Sequence, residues 1–143
     1  MSEDQPRVDL GLTHVALTVT DLDRSIEFYG RFAAMKVVHR RPGVAWLSDQ
    51  TRPFVIVLAQ QSQVEHPMRP FSHLGVAVAS AEEVERLAQV ARDEDCLIGG
   101  PMDSGPPVGF WAFLRDPDGH TLELSFGQEV GLTVGESRSS AGG

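Results

Sequence analysis

Leu12-Thr13-His14-Val15-Ala16-Leu17-Thr18-Val19 returns, 59 residues further on, as Phe71-Ser72-His73-Leu74-Gly75-Val76-Ala77-Val78. A recurrence of this kind marks an internal repeat and sets how the rest of the chain is read. Both runs alternate apolar residues with small or polar ones, the period-two pattern of a half-buried strand. Each leads into a helix-entry signal: Thr20-Asp21 after the first, and Ser80-Ala81-Glu82-Glu83, spaced as a capping box, after the second. The helices that follow carry apolar residues stepping by three, Ile26, Tyr29 and Phe32 in one and Val84, Leu87 and Val90 in the other.

After each helix come three more strand-like pieces. They are Met35 to Arg41, Val44 to Leu47 and Phe54 to Ala59 in the first half, and Leu97 to Met102, Val108 to Arg115 and Thr121 to Phe126 in the second. Pro42-Gly43, Gly105-Pro106-Pro107 and Asp116-Pro117-Asp118-Gly119 supply turns between them. The fold class this predicts is α+β: two βαβββ modules, paired to form a curved mixed sheet around a central metal or ligand trough. The domain spans 10–127, with module one at about 10–61 and module two at about 70–127. The ends, 1–9 and 128–143, are rich in charged, Gly and Ser residues without a period, and both are expected to be flexible tails.

Composition bounds the function. A chain of 143 residues with 41% hydrophobic content fits one ordinary domain. With 12 basic against 20 acidic residues the net charge is −8, which disfavours nucleic acid and anionic membrane as partners. Met1 to Pro6 lacks an apolar targeting core, and no stretch approaches the roughly 20 apolar residues that span a bilayer, so the cytoplasm is the expected location. The lone Cys96 is expected to be a small packing residue.

Strand phase carries the functional reading. Val15, Leu17 and Val19 point one way and His14, Ala16 and Thr18 the other; Leu74, Val76 and Val78 oppose His73, Gly75 and Ala77; Leu122, Leu124 and Phe126 oppose Thr121, Glu123 and Ser125. If the helices cover the apolar phases, His14, His73 and Glu123 all face the trough. A single strand histidine is ordinarily a satisfied or solvent-facing residue. Two at matching points of a repeat, with an in-phase glutamate, point instead to a divalent metal site with open coordination positions, suited to Fe(II), Mn(II), Ni(II), Zn(II) or Co(II).

The chain resembles the vicinal oxygen chelate superfamily, which includes glyoxalase I, type I extradiol dioxygenases, methylmalonyl-CoA epimerase and the fosfomycin and bleomycin resistance proteins. The resemblance runs from Leu12 to Phe126. It rests on His14-Val15-Ala16-Leu17, on Asp23-Arg24-Ser25 followed by Phe28-Tyr29, and on Arg115-Asp116-Pro117-Asp118-Gly119-His120-Thr121-Leu122-Glu123-Leu124. It implies metal ligands from the first, fourth, fifth and eighth strands. His14, His73 and Glu123 match, but Phe54-Val55-Ile56-Val57-Leu58-Ala59 offers no ligand. That gap argues against glyoxalase I and looks like the three-ligand set of the extradiol dioxygenases, a resemblance that implies Fe(II) ahead of the other divalent metals. The dioxygenase pattern's tyrosine is here Phe113, its second histidine is missing between Met102 and Trp111, and no general acid or base is identified.

The expected function is therefore a metal-dependent, dioxygenase-like enzyme acting on a small substrate held through neighbouring oxygens. The alternatives are an isomerase or lyase of the same superfamily, or a drug-binding protein of the bleomycin-resistance kind. Trp46, Trp111 and Phe113 are the candidate walls for an aromatic substrate; the resemblance implies a phase for the seventh strand in which Trp111 and Phe113 face the trough and Phe110 packs under the helices. His39, His66 and His120 read as surface residues, and Arg40, Arg41, Arg52 and Arg69 as solvated cations. A homodimer is expected, because exposed sheet edges gain from pairing.

Overall fold

The structure is a computed structural model that describes residues 8–142, so most of the expected N-terminal tail, 1–9, lies outside the described residues. The chain divides between Ser62 and Gln63 into two compact units. The first runs β1 (His14–Val19), α1 (Leu22–Ala33), β2 (Lys36–Arg41), β3 (Val44–Ser48) and β4 (Val55–Gln60). The second runs β5 (His73–Ala77), α2 (Ala81–Asp93), β6 (Leu97–Asp103), β7 (Phe110–Arg115) and β8 (Thr121–Phe126), followed by α3 (Val130–Gly142). Each unit is thus α+β with the βαβββ order that the repeat predicts.

Each unit has its own four-stranded mixed sheet, ordered β1-β4-β3-β2 in the first and β5-β8-β7-β6 in the second. The outer pairs β1–β4 and β5–β8 are parallel, and the other neighbours are antiparallel. The registers repeat as well. Ala16, third in β1, faces Val57, third in β4; Gly75, third in β5, faces Glu123, third in β8.

The helices cover one face of each sheet. Asp21 caps α1 by accepting from the Arg24 N–H at 3.2 Å, and Ser80 caps α2 by accepting from the Glu83 N–H at 3.1 Å. The expected capping box is only half formed, because the Glu83 carboxylate pairs with Arg86 rather than reaching back. On α1 the buried residues are Leu22, Ser25, Phe28, Tyr29, Phe32 and Ala33, while Ile26 is half-buried. On α2 they are Val84, Leu87, Ala88 and Ala91, while Val90 is half-buried. The faces therefore follow the i, i+3, i+4, i+7 stripe rather than a strict step of three. Under the helices lie Leu17, Val19, Leu47, Ile56 and Leu58 in one unit and Ala112, Leu114, Leu122 and Leu124 in the other.

Three sequence expectations change. Leu12 and Phe71, read as strand residues, precede β1 and β5 and are exposed. Phe126, on the apolar phase of the last strand, is exposed at its end. The span 128–143, read as irregular, contains α3. That helix has no apolar stripe and its described side chains stay on the surface, so periodicity, which reports a buried face, gives no signal for it. None of the described helices is long and apolar enough to cross a membrane.

The β7–β8 turn is held by side-chain as well as backbone hydrogen bonds. Buried Asp116 accepts from the N–H groups of Asp118 at 2.8 Å and His120 at 2.9 Å, and Gly119 supplies the positive φ of 92°. His120, expected at the surface, is 2% exposed, because its Nδ1 accepts from the Met68 N–H at 3.0 Å and ties the preceding loop to the turn. Replacing Asp116 by Ala strands two N–H donors, and the expected loss is about 2–4 kcal/mol. Urea unfolding of Asp116→Ala should show it as a lower midpoint at an unchanged slope.

Candidate functional site

In the second unit, β8 lies between β5 and β7, so the side chains of Thr121, Glu123 and Ser125 are flanked on both sides and all three are buried. Glu123 is 6% exposed. Its Oε2 lies 3.4 Å from Nε2 of His73 on the adjacent strand. Nδ1 of His73 is 2.8 Å from the Pro70 carbonyl. A carbonyl can only accept, so Nδ1 carries the donated proton and Nε2 is the atom turned to the carboxylate. Gly75 leaves the space this needs: a Cβ there would come within 3.3 Å of Glu123 Oε2.

The imidazole is held from two directions. Pro70 follows Met68 by two residues, and Met68 is anchored to the β7–β8 turn both through His120 and through its own carbonyl, which accepts from the Thr121 N–H at 2.8 Å. On the other side the Phe113 ring lies 5.0 Å from the His73 ring, and Trp111 packs tilted against Phe113 at 4.7 Å. Trp111 is fixed in turn by Nε1 donating to Ser104 Oγ at 2.8 Å. Phe113 is the register partner of Glu123, so these aromatics flank the His73–Glu123 pair on one sheet face. The same face carries the Thr121 hydroxyl, buried and without a hydrogen-bond partner among the described residues.

The first unit carries the related but different set. His14 is exposed, with Nδ1 2.9 Å from the Thr13 hydroxyl. It borders a pocket of about 390 Å³ whose walls include Val38, Trp46, Phe54, Val55 and Val57, with Ser48 and Arg52 also lining it. His39, across the β2–β3 ladder from Trp46, lies edge-on to the indole at 5.1 Å. By register Val57 holds the place in this unit that Glu123 holds in the other, which narrows the ligand gap in the fourth strand to one residue. Ile56 and Leu58 alternate with it and belong to the core.

Of the expected ligands, then, His73 and Glu123 come together within one unit, and His14 belongs to the other unit. Neither unit, among its described residues, gathers three His, Cys, Asp or Glu side chains into a metal-holding group by itself. Of the expected walls, Trp111 and Phe113 stand by His73, and Trp46 by His14. Sequence reading left Arg52 as a solvated cation and did not single out Val57 or Pro70. Aligning the fourth strand on the eighth would have found Val57, whereas nothing local marks Pro70.

Residues 11–124 match the family described as the Glyoxalase/Bleomycin resistance protein/Dioxygenase superfamily. An uncharacterized protein of Pseudomonas aeruginosa is 40% identical over 127 residues, covering 84% of this chain and 91% of that protein. The lactoylglutathione lyase of Salmonella typhimurium is 30% identical over 139 residues, covering 87% of this chain and 98% of the enzyme. Among solved structures, the fosfomycin resistance protein FosX of Listeria monocytogenes, in complex with Mn(II) and sulfate, superposes with a TM-score of 0.68 at 17% identity, over 84% of this chain and 92% of that one. The enzyme named among these relatives is a lyase, so the dioxygenase-like expectation lacks support, and with it the reason for placing Fe(II) first. The lyase or isomerase alternative agrees better with these relatives. The match over most of its length shows that the chain belongs to the glyoxalase/bleomycin resistance protein/dioxygenase superfamily.

Proposed function

We propose that this protein is a metal-dependent lyase or isomerase acting on a small substrate held through neighbouring oxygens, with His14, His73 and Glu123 as the ligands of one divalent ion. The observation that carries the reading is the approach of His73 Nε2 to Glu123 Oε2 at 3.4 Å. A charge-assisted N–H···O bond would be shorter, about 2.7–2.9 Å. Two donors on one ion, each about 2.0–2.1 Å from it, stand roughly 2.8–3.4 Å apart for right-angle to tetrahedral arrangements, with 3.4 Å at the tetrahedral end. The donor chemistry also fits: an imidazole with its other nitrogen committed to a backbone carbonyl and a buried carboxylate are ordinary metal ligands.

Two imidazoles and one carboxylate suit Mn(II), Ni(II), Zn(II), Co(II) or Fe(II), and the Mn(II) of a structural relative supports this class of ion. When bound, such an ion polarises substrate oxygens and stabilises an enolate-like anion. The chain's own contributions are distinct. The Pro70 carbonyl fixes the tautomer and aim of His73, Gly75 gives the Glu123 carboxylate room, and Phe113, backed by Trp111, packs beside the imidazole. Val57 removes one protein ligand relative to a four-ligand set. A sequestering protein of the bleomycin-resistance kind needs the aromatic walls but not the His73–Glu123 pair. The homodimer belongs to this reading, supported by apolar residues left exposed at Leu10, Leu12, Phe71 and Met102.

Three measurements test the proposal. Protein purified without chelator should carry stoichiometric metal by elemental analysis, and His73→Ala and Glu123→Gln should lose it while keeping a native circular dichroism spectrum; metal retained in His73→Ala would refute the ligand assignment. Gly75→Ala should weaken metal binding about tenfold, because its Cβ crowds the carboxylate, and Val57→Glu should slow metal loss to a chelator by supplying a further oxygen. The metal-loaded enzyme should show lyase or isomerase activity without oxygen uptake, whereas oxygen-dependent ring cleavage of catechols by the Fe(II)-loaded protein would overturn the reaction class.

A further inference from the structure

The pocket beside His14 has a chemistry of its own. Its six apolar lining residues are Val38, Trp46, Pro53, Phe54, Val55 and Val57. About 150 Å³ is enough to hold benzene, so a pocket of about 390 Å³ accommodates a ring with short substituents. Trp46 contributes an indole to the wall, and Val57 keeps neutral the position where the other unit places a carboxylate. The polar lining is confined to Thr13, His14, Ser48 and Arg52, and no carboxylate is among the lining residues.

Arg52 is the feature that selects. In a chain of net charge −8, a guanidinium at the rim of an apolar pocket is a local exception. It donates no hydrogen bond and forms no ion pair among the described residues. The nearby acid, Asp49, is already engaged: it accepts from the Thr51 N–H at 3.0 Å and the Thr51 hydroxyl at 2.7 Å. Those bonds, led by the one from the Thr51 backbone, hold its carboxyl below the usual range, and the charge of Arg52 contributes less. The loop is tied down further by the Gln50 N–H donating to Ser48 Oγ at 2.9 Å. A guanidinium fork matches the two oxygens of a carboxylate.

We infer that this pocket binds a small ring-bearing monocarboxylate, with its ring against Trp46 and Val57 and its carboxylate on Arg52. The inference deepens the proposed function by naming a substrate class, and it rests on that reading only in taking the pocket beside His14 as part of the site. Recognition itself needs no metal, so it is tested on chelator-treated protein. Trp111→Phe leaves Trp46 as the sole tryptophan, and benzoate is titrated against its fluorescence, with benzyl alcohol as the uncharged counterpart.

Benzoate should quench saturably and bind at least tenfold more tightly than benzyl alcohol. Arg52→Gln should lose at least tenfold in benzoate affinity and leave benzyl alcohol unchanged, Arg52→Lys should recover part of the loss, and Val57→Glu should abolish benzoate binding. Non-saturable quenching, equal affinity for acid and alcohol, or benzoate binding indifferent to Arg52→Gln would overturn the inference. Metal analysis of the His73 variant bears on the proposed function alone, so failure of either idea is read separately.

Discussion

A carboxylate that is 6% exposed is expensive unless something opposite in charge or rich in donors meets it, and in the second unit Glu123 faces the Nε2 of His73 at 3.4 Å, a spacing at which one shared cation would meet both. Much of the local architecture follows from holding that imidazole in place. Its Nδ1 needs an acceptor, which Pro70 provides; Pro70 needs an anchored loop, which Met68 provides; and Met68 is bonded to His120, whose position depends on the Asp116 turn. A run of backbone and side-chain bonds through the turn before β8 thus fixes a side chain at the start of β5. The strongly bonded Asp-Pro-Asp-Gly turn is therefore part of the site's geometry as well as a connection between strands.

The repeat places chemically unlike residues at equivalent positions. Ala16 and Val57 in one unit correspond by register to Gly75 and Glu123 in the other. Where the acid is present, its strand neighbour has shrunk to glycine, and a Cβ would crowd the carboxylate oxygen. Where valine is present, alanine faces it. The two substitutions are coupled by the same cross-strand contact, so the divergence is better understood as a change of pairs than of single residues. One unit keeps a carboxylate–imidazole pair and the other keeps an imidazole beside an apolar pocket.

Much of this was legible from alternation alone, because a strand with one covered face must sort its residues by phase. The assignment of Leu122 and Leu124 to the helix side and of Glu123 to the other follows period two, whereas the phase of Trp111 and Phe113 in the seventh strand was fixed only by the family resemblance. What escaped was set by contacts distant in sequence or by position along an element. His120 reads as a turn residue, and only the Met68 N–H makes it a buried acceptor. Phe126 has the right phase but stands at the strand's end, beyond the helix that covers its neighbours. The stripes on α1 and α2 drift from a step of three because 3.6 residues make a turn, so Phe28 and Ala88 displace Ile26 and Val90 from the core.

The candidate site was legible to a different depth. Residue type and phase picked out the two histidines and the glutamate, but the features that separate one chemistry from another lie in what surrounds them. A missing ligand is visible in sequence only as a hydrophobic residue in a strand already full of them, and Val57 is distinguished from Val55 by a register that must be seen. Arg52 belongs to a loop with no periodicity, and its significance comes from the apolar wall beside it and from Asp49 being engaged by Thr51. A fold of this family fixes where a ligand can approach the sheet, while side chains at the ends of strands and in the loops after them decide what approaches. Within this chain the second unit pairs a buried carboxylate with an imidazole, and the first sets an imidazole and a guanidinium beside an apolar pocket.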